Sequence, residues 1–221
     1  MTRYTSLVVL GTLVLVASGC GSKSEQPAPA AEPAAEPAAQ HSTPAEHSSG
    51  QESMIGTTAT ARLQPADPSS GVSGTVTFTQ EMGGVHVVAD VSGLTPGKHG
   101  FHIHENGECT PPFDSAGGHW NPYNLDHGCP PAFKRHVGDL GNIEVGADGK
   151  GHFDQVIDKI SVVDPHHLVV GRALIVHAGE DDCKTQPSGG SGARIACGVI
   201  QLTSKAGGDG SAPPQQPPAG Q

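Results

Sequence analysis

The chain has 221 residues and a formal net charge of −10, with 35% hydrophobic and 15% charged residues. Within residues 56–203, nine Lys and Arg residues against sixteen Asp and Glu residues give a charge of −7. A domain of this sign argues against a nucleic acid or an anionic membrane surface as the partner.

Residues 1–20 are predicted to be an export signal. Arg3 precedes an apolar run from Leu7 to Val16, and small residues then lead to Cys20, which is the pattern of a signal peptide. Small residues before a cysteine are typical of bacterial lipoproteins. The sequence therefore predicts an exported protein of the cell envelope, in the periplasm or at the cell surface, held in the lipid bilayer through a lipidated Cys20. The alternative is an ordinary signal peptide with an incidental cysteine.

Two segments flank the predicted domain and have little apolar surface to bury. Residues 21–55 consist mainly of Ala, Pro, Glu, Ser and Gln, and residues 204–221 are rich in Gly, Pro and Gln. Both compositions are typical of disordered chain. Residues 56–203 remain as one domain of about 150 residues, which is a common single-domain size.

The predicted domain is all-β. Short β-branched segments are separated by Gly, Asp and Pro, and stretches such as VTFTQ and VHVVADV alternate apolar and polar residues, as half-buried antiparallel strands do. A hairpin turn is predicted at 147–150. Seven or eight such strands indicate a Greek-key β-sandwich or a flattened eight-stranded barrel. The predicted strands are Thr57–Leu63, Val72–Gln80, Val85–Val91, Gly100–His104, Gly151–Ile157, Ala173–His177 and Gly198–Leu202.

A dense set of metal-ligand side chains follows in the chain. His102 and His104 stand two apart on a predicted strand, so both side chains point to the same face. Two predicted loops, 105–141 and 178–196, are longer than hairpins need, which indicates functional loops. Imidazole suits copper and zinc, and the number of candidates indicates more than one ion. The further candidates are His119, His127, His136, Asp139 and His177.

Four cysteines lie in the predicted domain, in addition to Cys20. After export they are expected to form two disulfides. Four cysteines allow three pairings, and their spacing alone does not choose among them. The four residues are Cys109, Cys129, Cys183 and Cys197.

Six motifs resemble the copper–zinc superoxide dismutases, and in particular the exported bacterial lipoprotein type. They occur in the order found in that family and cover essentially all of 56–203. The resemblance implies the Greek-key fold and the dismutation of superoxide to oxygen and hydrogen peroxide, which would protect the cell envelope. The motifs are GFHIHE at 100–105, GHWNP at 118–122, HG at 127–128, RHVGDLGN at 135–142, VH at 176–177 and GARIACGVI at 192–200.

The resemblance implies one copper ion and one zinc ion in each subunit. Four nitrogens suit Cu(II), and three histidines with one aspartate suit zinc. His119 would bridge the two ions, and Asp126 is a minor alternative to His127. The implied copper ligands are His102, His104, His119 and His177. The implied zinc ligands are His119, His127, His136 and Asp139.

The same resemblance gives roles to residues around the ions. Arg194 matches an arginine that guides superoxide to the copper, and His119 would take up and supply a proton. Asp181 matches an aspartate that connects the copper and zinc sides. Such a carboxylate fixes the orientation of the ligand rings.

The resemblance also bears on the disulfides. Cys109 and Cys197 correspond to an internal disulfide of the family. If Asp181 approaches His127, then Cys129 and Cys183, each two residues further on, are neighbours. We therefore predict a second disulfide, Cys129–Cys183, and the alternative is a pair of free thiols.

Two other function classes compete with the enzyme. A copper carrier or zinc store of the same fold would be expected to lose a copper ligand or the arginine, whereas this chain keeps all of them. An adhesion domain does not need seven clustered ligands. The sequence leaves a homodimer and a monomer equally open.

Overall fold

The computed structural model describes residues 54–206. The predicted signal with Cys20, nearly all of the 21–55 linker and most of the 204–221 tail lie outside the described residues. Within 54–206, no helix is long and apolar enough to cross a membrane. The strands are β1 (Thr58–Pro65), β2 (Ser73–Glu81), β3 (Gly84–Ser92), β4 (Gly97–His104), β5 (Asp139–Val145), β6 (Lys150–Ile157), β7 (Ala173–His177), β8 (Arg194–Val199) and β9 (Gln201–Ser204), and 3₁₀ turns lie at Pro68–Ser70 and Asp114–Ala116.

Eight of these strands form a closed barrel. Their order is β2-β3-β6-β5-β4-β7-β8-β1, and β1 pairs again with β2. Every pairing is antiparallel, and β9 adds a short strand to β1. The predicted all-β barrel is confirmed. The hairpin at 147–150 joins β5 to β6, and Gly149 at a φ of 74° makes its turn.

The interior of the barrel is apolar because alternate residues of each strand face inward. Val76 and Phe78 on β2 are fully buried, as are Val85 and Val87 on β3. Burial of each such side chain stabilises the fold by about 1.5–3 kcal/mol.

Strand β4 departs from this alternation in a way that locates the functional site. Phe101 and Ile103 belong to the barrel core. His102 and His104 point to the opposite face and yet are also buried. The long connections therefore cover the outer face of β4, and the histidines lie between barrel and loops.

Two strand predictions were incomplete. Strand β5 was not predicted from the sequence, and its first three residues fall at the end of the predicted loop 105–141. Asp139, Asn142 and Gly141, which has a φ of 91°, interrupt the alternation of apolar and polar residues along it. The predicted strand Gly198–Leu202 is divided between β8 and β9. Its break is at Ile200, whose N–H donates to the Arg172 carbonyl at 2.9 Å instead of to a neighbouring strand.

Candidate metal centre

The barrel and one loop bring the first four histidines together. His102 and His104 lie on β4, which pairs with β7, and His177 is the last residue of β7. His119 comes from the long loop, and an isolated bridge pairs it with His104. One ring nitrogen from each of these four buried residues lies within 4.8 Å of the others.

The first cluster contains nitrogen atoms without a hydrogen-bond partner. They are His102 Nδ1 and the Nε2 atoms of His104, His119 and His177, each buried and unbonded within the described part of the chain. A buried polar atom without a partner costs about 1–3 kcal/mol. Four such atoms converging on one point fit a bound metal ion, and a four-nitrogen donor set fits copper.

A second cluster forms around one carboxylate oxygen. Asp139 Oδ1 lies 2.8 Å from His119 Nδ1, 3.1 Å from His127 Nδ1 and 3.3 Å from His136 Nδ1. Asp139 Oδ2 is held by the backbone N–H groups of Gly128 and His136, at 3.1 and 2.9 Å. Three imidazoles and one carboxylate are a donor set that suits zinc. His119 belongs to both clusters, with Nε2 facing the first and Nδ1 facing the second.

Asp181 connects the two clusters. Its Oδ2 lies 2.8 Å from His102 Nε2, and its Oδ1 lies 2.9 Å from His127 Nε2. Both of these ring nitrogens are opposite the ones that face the clusters, so Asp181 fixes the ring orientation from behind. The structure thus brings Asp181 against one histidine of each cluster.

Backbone carbonyls fix two more rings. His104 Nδ1 lies 3.0 Å from the carbonyl oxygen of Gly117, and His177 Nδ1 lies 3.0 Å from that of Gly192. A neutral imidazole that donates from Nδ1 keeps its lone pair on Nε2. Both Nε2 atoms are therefore ready to bind an ion.

Burial keeps the first cluster uncharged. It lowers the pKa of His102 to about 3, of His104 to about 2 and of His177 to about 4. These rings need lose no proton before they bind a cation at neutral pH.

The second cluster is charged differently. Burial lowers the pKa of His127, but the adjacent carboxylates of Asp139 and Asp181 outweigh burial and raise it to about 9. Burial raises the pKa of Asp139, but the three adjacent histidines lower it by more, so that it lies well below its usual range. His127 must therefore release a proton when its Nδ1 binds a cation.

A cavity of about 480 Å³ leads to these histidines. His104, His119 and His177 line it together with Arg194. The Arg194 guanidinium donates from Nη1 to the Phe113 carbonyl at 2.5 Å and from Nη2 to the Gly117 carbonyl at 2.6 Å. This permanent cation is thus held in place at the wall of the cavity.

Two disulfides tie the loops to the barrel and to each other. Cys109–Cys197 joins the first long loop to β8, with 5.5 Å between the Cα atoms. Cys129–Cys183 joins the segment after His127 to the segment after Asp181, with 5.2 Å between the Cα atoms.

Three residues that the sequence did not identify as site residues support the site. The Asn142 side chain accepts from the Asp181 N–H at 2.8 Å and donates to the Asp181 carbonyl at 2.9 Å. Gln186 makes the same two bonds to the backbone of His127. The ring nitrogens of buried His99 lie 2.7 Å from the His177 carbonyl oxygen and 2.8 Å from that of Thr95.

One of these three residues carried a signal in the sequence. His99 is two residues before Phe101, a spacing that places both on the core side of β4. Asn142 and Gln186 carried none, because their partners are distant in the chain. The remaining histidines of the domain, His86, His152, His166 and His167, lie outside both clusters.

Comparison with known proteins gave consistent matches. Residues 72–200 match the family described as copper/zinc superoxide dismutase (SODC). An extracellular superoxide dismutase (Cu-Zn) of Brugia pahangi is 39% identical over 155 residues, which are 66% of this chain and 77% of that protein. A superoxide dismutase (Cu-Zn) of Onchocerca volvulus is 44% identical over 142 residues, which are 59% of this chain and 89% of that protein. The crystal structure of the clock protein EA4 has 39% identity and a TM-score of 0.61, covering 67% of this chain and 96% of that one.

Proposed function

The chain belongs to the copper/zinc superoxide dismutase family, and from this premise we propose which residues bind its copper and zinc and how they act. The observation that carries the proposal is the set of buried ring nitrogens that converge without hydrogen-bond partners in the described residues. The proposed copper ligands are His102, His104, His119 and His177. The proposed zinc ligands are His119, His127, His136 and Asp139.

The proposed reaction depends on bound copper and on a charged side chain that the protein holds beside the copper ligands. Bound copper supplies the one-electron oxidation and reduction by which two superoxide anions and two protons become oxygen and hydrogen peroxide. Arg194 attracts the anion, because its guanidinium is always charged and lines the same cavity as His104 and His177. Its two bonds to backbone carbonyls keep this charge at the cavity wall.

His119 is the proposed proton carrier. Its Nε2 faces the first cluster, while its Nδ1 stays 2.8 Å from Asp139. A proton taken up at Nε2 can therefore be held and delivered without turning the ring away from the zinc side. Proton transfer by a positioned histidine is a common route of catalysis.

The overall negative charge does not prevent an anion from reaching the site. Asp139 belongs to the second cluster and Asp181 contacts both clusters, and two divalent ions would outweigh the charge of these two carboxylates. Arg194 adds a further positive charge at the cavity. Local potential in a cleft governs the approach of a small ion, and net charge does not.

The proposed setting is the cell envelope. Two disulfides and a relative named extracellular support export. The sequence before the domain supports anchoring through a lipidated Cys20 and protection against superoxide outside the cytoplasm. Cys20→Ala is expected to release the protein from the membrane fraction of the producing cell. The sequence leaves a homodimer and a monomer open, and sedimentation of the purified protein distinguishes them.

The experiment compares two histidine variants of the copper- and zinc-loaded protein. His177→Ala removes one proposed copper ligand, and His152→Ala removes an exposed histidine from the outer face of β6. Superoxide consumption is expected to be fast and copper-dependent in the native protein and in His152→Ala, and to be lost in His177→Ala. Copper binding without turnover in the native protein would favour a metal carrier instead.

A further inference from the structure

A third set of metal-ligand atoms lies beside the two clusters. His127, Cys129 and Asp181 each bring one donor atom within 4.8 Å of the other two. Cys129 Sγ is 3.6 Å from Asp181 Oδ2, and His127 Nε2 is 2.9 Å from Asp181 Oδ1. In the oxidised chain this sulfur is bonded to Cys183, and the metal-binding form of cysteine is the thiolate.

We propose that the Cys129–Cys183 bond covers a redox-dependent metal site. Reduction by a dithiol transfers two electrons and two protons to the disulfide, which breaks into two thiols while the dithiol closes to its own disulfide. The Cys129 thiol and the His127 Nε2–H group then each give a proton to water as they bind a metal ion, so the His127 ring becomes an imidazolate while its Nδ1 remains available to zinc. Cys129 Sγ, His127 Nε2 and an Asp181 carboxylate oxygen together take a thiophilic ion such as Zn²⁺, Co²⁺ or Cu⁺.

The donor set is expected to persist after the disulfide opens. Asn142 holds the backbone of Asp181 through two hydrogen bonds. Gln186 likewise holds the backbone of His127. Neither pair of hydrogen bonds involves a cysteine, so Asp181 and His127 stay close together when the S–S bond is broken. Cys129 is only two residues from His127, which keeps its sulfur within reach of both.

This inference rests on the proposed function, because the third site takes atoms that support the proposed metal ligands. An ion held there occupies His127 Nε2 and competes for the carboxylate of Asp181. That carboxylate otherwise fixes the rings of His102 and His127. While the disulfide is closed, no ion competes at the third site, and the Asp181 carboxylate remains bonded to His102 and His127.

Two serine variants separate the third site from loss of the disulfide. Cys183→Ser leaves Cys129 as a free thiol, and Cys129→Ser leaves only Cys183. Both variants lose the same disulfide and keep Cys109–Cys197, which mass spectrometry verifies. Each full-length protein is loaded with copper and zinc and then titrated with cobalt(II) chloride, because cobalt bound to a thiolate absorbs by charge transfer in the near ultraviolet.

The charge-transfer absorption is expected in Cys183→Ser and absent from Cys129→Ser and from the oxidised native protein. Equal absorption in the two variants, or none in Cys183→Ser, would overturn the inference. If Cys183→Ser does not fold, the native protein and Cys129→Ser are both reduced with a phosphine, which adds no thiolate, and the native protein is expected to show absorption in excess of that of Cys129→Ser.

Metal analysis of the native protein keeps this result apart from the proposed function. If the native protein binds one copper and one zinc and the absorption is missing, only the third site is refuted. If the native protein binds neither ion, the ligand assignment and the third site fall together.

Discussion

Gly189 offers a direct test of the Asp181 bridge. Its φ is +67°, and a Cβ atom built on it would lie 1.8 Å from Asp181 Oδ1 and 2.8 Å from His127 Nε2. Non-bonded atoms cannot lie so close together, so the alanine Cβ in Gly189→Ala must displace the Asp181 carboxylate and break its hydrogen bond to His127. The matched control is Gly190→Ala. Gly190 has nearly the same φ of +64°, but the nearest atom that a Cβ there would meet belongs to the Thr185 side chain, at 3.9 Å.

The expected size of the effect follows from what Asp181 holds. Its carboxylate makes one hydrogen bond of 2.8 Å to His102 and one of 2.9 Å to His127. Loss of such support behind a ligand typically lowers metal affinity about 10–100-fold, which is about 1.4–2.8 kcal/mol of binding free energy. The left-handed backbone costs either alanine variant a further ~1–3 kcal/mol of folding free energy.

Zinc transfer to a chromogenic chelator measures this affinity, and thermal unfolding of the metal-free proteins measures the backbone strain. Gly189→Ala is expected to lose zinc to about 10–100-fold less chelator than the native protein does. Gly190→Ala is expected to keep its zinc while showing a similar loss of thermal stability. Equal zinc retention in the two variants would refute the view that Asp181 supports the zinc ligands through His127.

Three further predictions concern the cavity, the loop and acid stability. Arg194→Ala is expected to lower kcat/KM for superoxide about tenfold or more, by a factor that shrinks as salt rises; stopped-flow kinetics that show no change relative to Arg194→Lys would contradict this. Asn142→Ala removes two hydrogen bonds to the Asp181 backbone and is expected to cost about 1–3 kcal/mol, so an unchanged urea midpoint would count against it. Burial raises the pKa of Asp158, but the Arg135 guanidinium lowers it by more, so that it lies below the ordinary 3.8. The pair therefore stabilises the fold at pH values above 3.8, and its contribution is lost as pH falls through the lower folded pKa. When unfolding is followed from neutral to acid pH, the stability of Asp158→Asn is expected to depend less on pH than that of the native protein.

Much of the architecture could be predicted from local patterns. Alternation along segments such as Val85–Val91 indicates which residues face the core, because side chains on a strand alternate between its faces. The same rule indicated that His102 and His104 share one face. It failed for β5, where Asp139 is buried by its hydrogen bonds to His119 and to loop backbone rather than by apolar packing.

The sequence by itself determined the barrel, the face that carries the histidines and the chemical type of the donors, because these depend on residue type and on spacing of a few residues. Only the tertiary structure decided which nitrogen of each ring faces a cluster, which oxygen of Asp181 lies at His102 and which at His127, and that Gly189 leaves no room for a side chain there. Asp181 and His102 are 79 residues apart, and their contact exists because the barrel places β4 beside β7 and the loop after β7 folds back over the face of β4. A local pattern indicates which face of a strand must be buried, whereas the closed barrel decides which distant loop packs over that face.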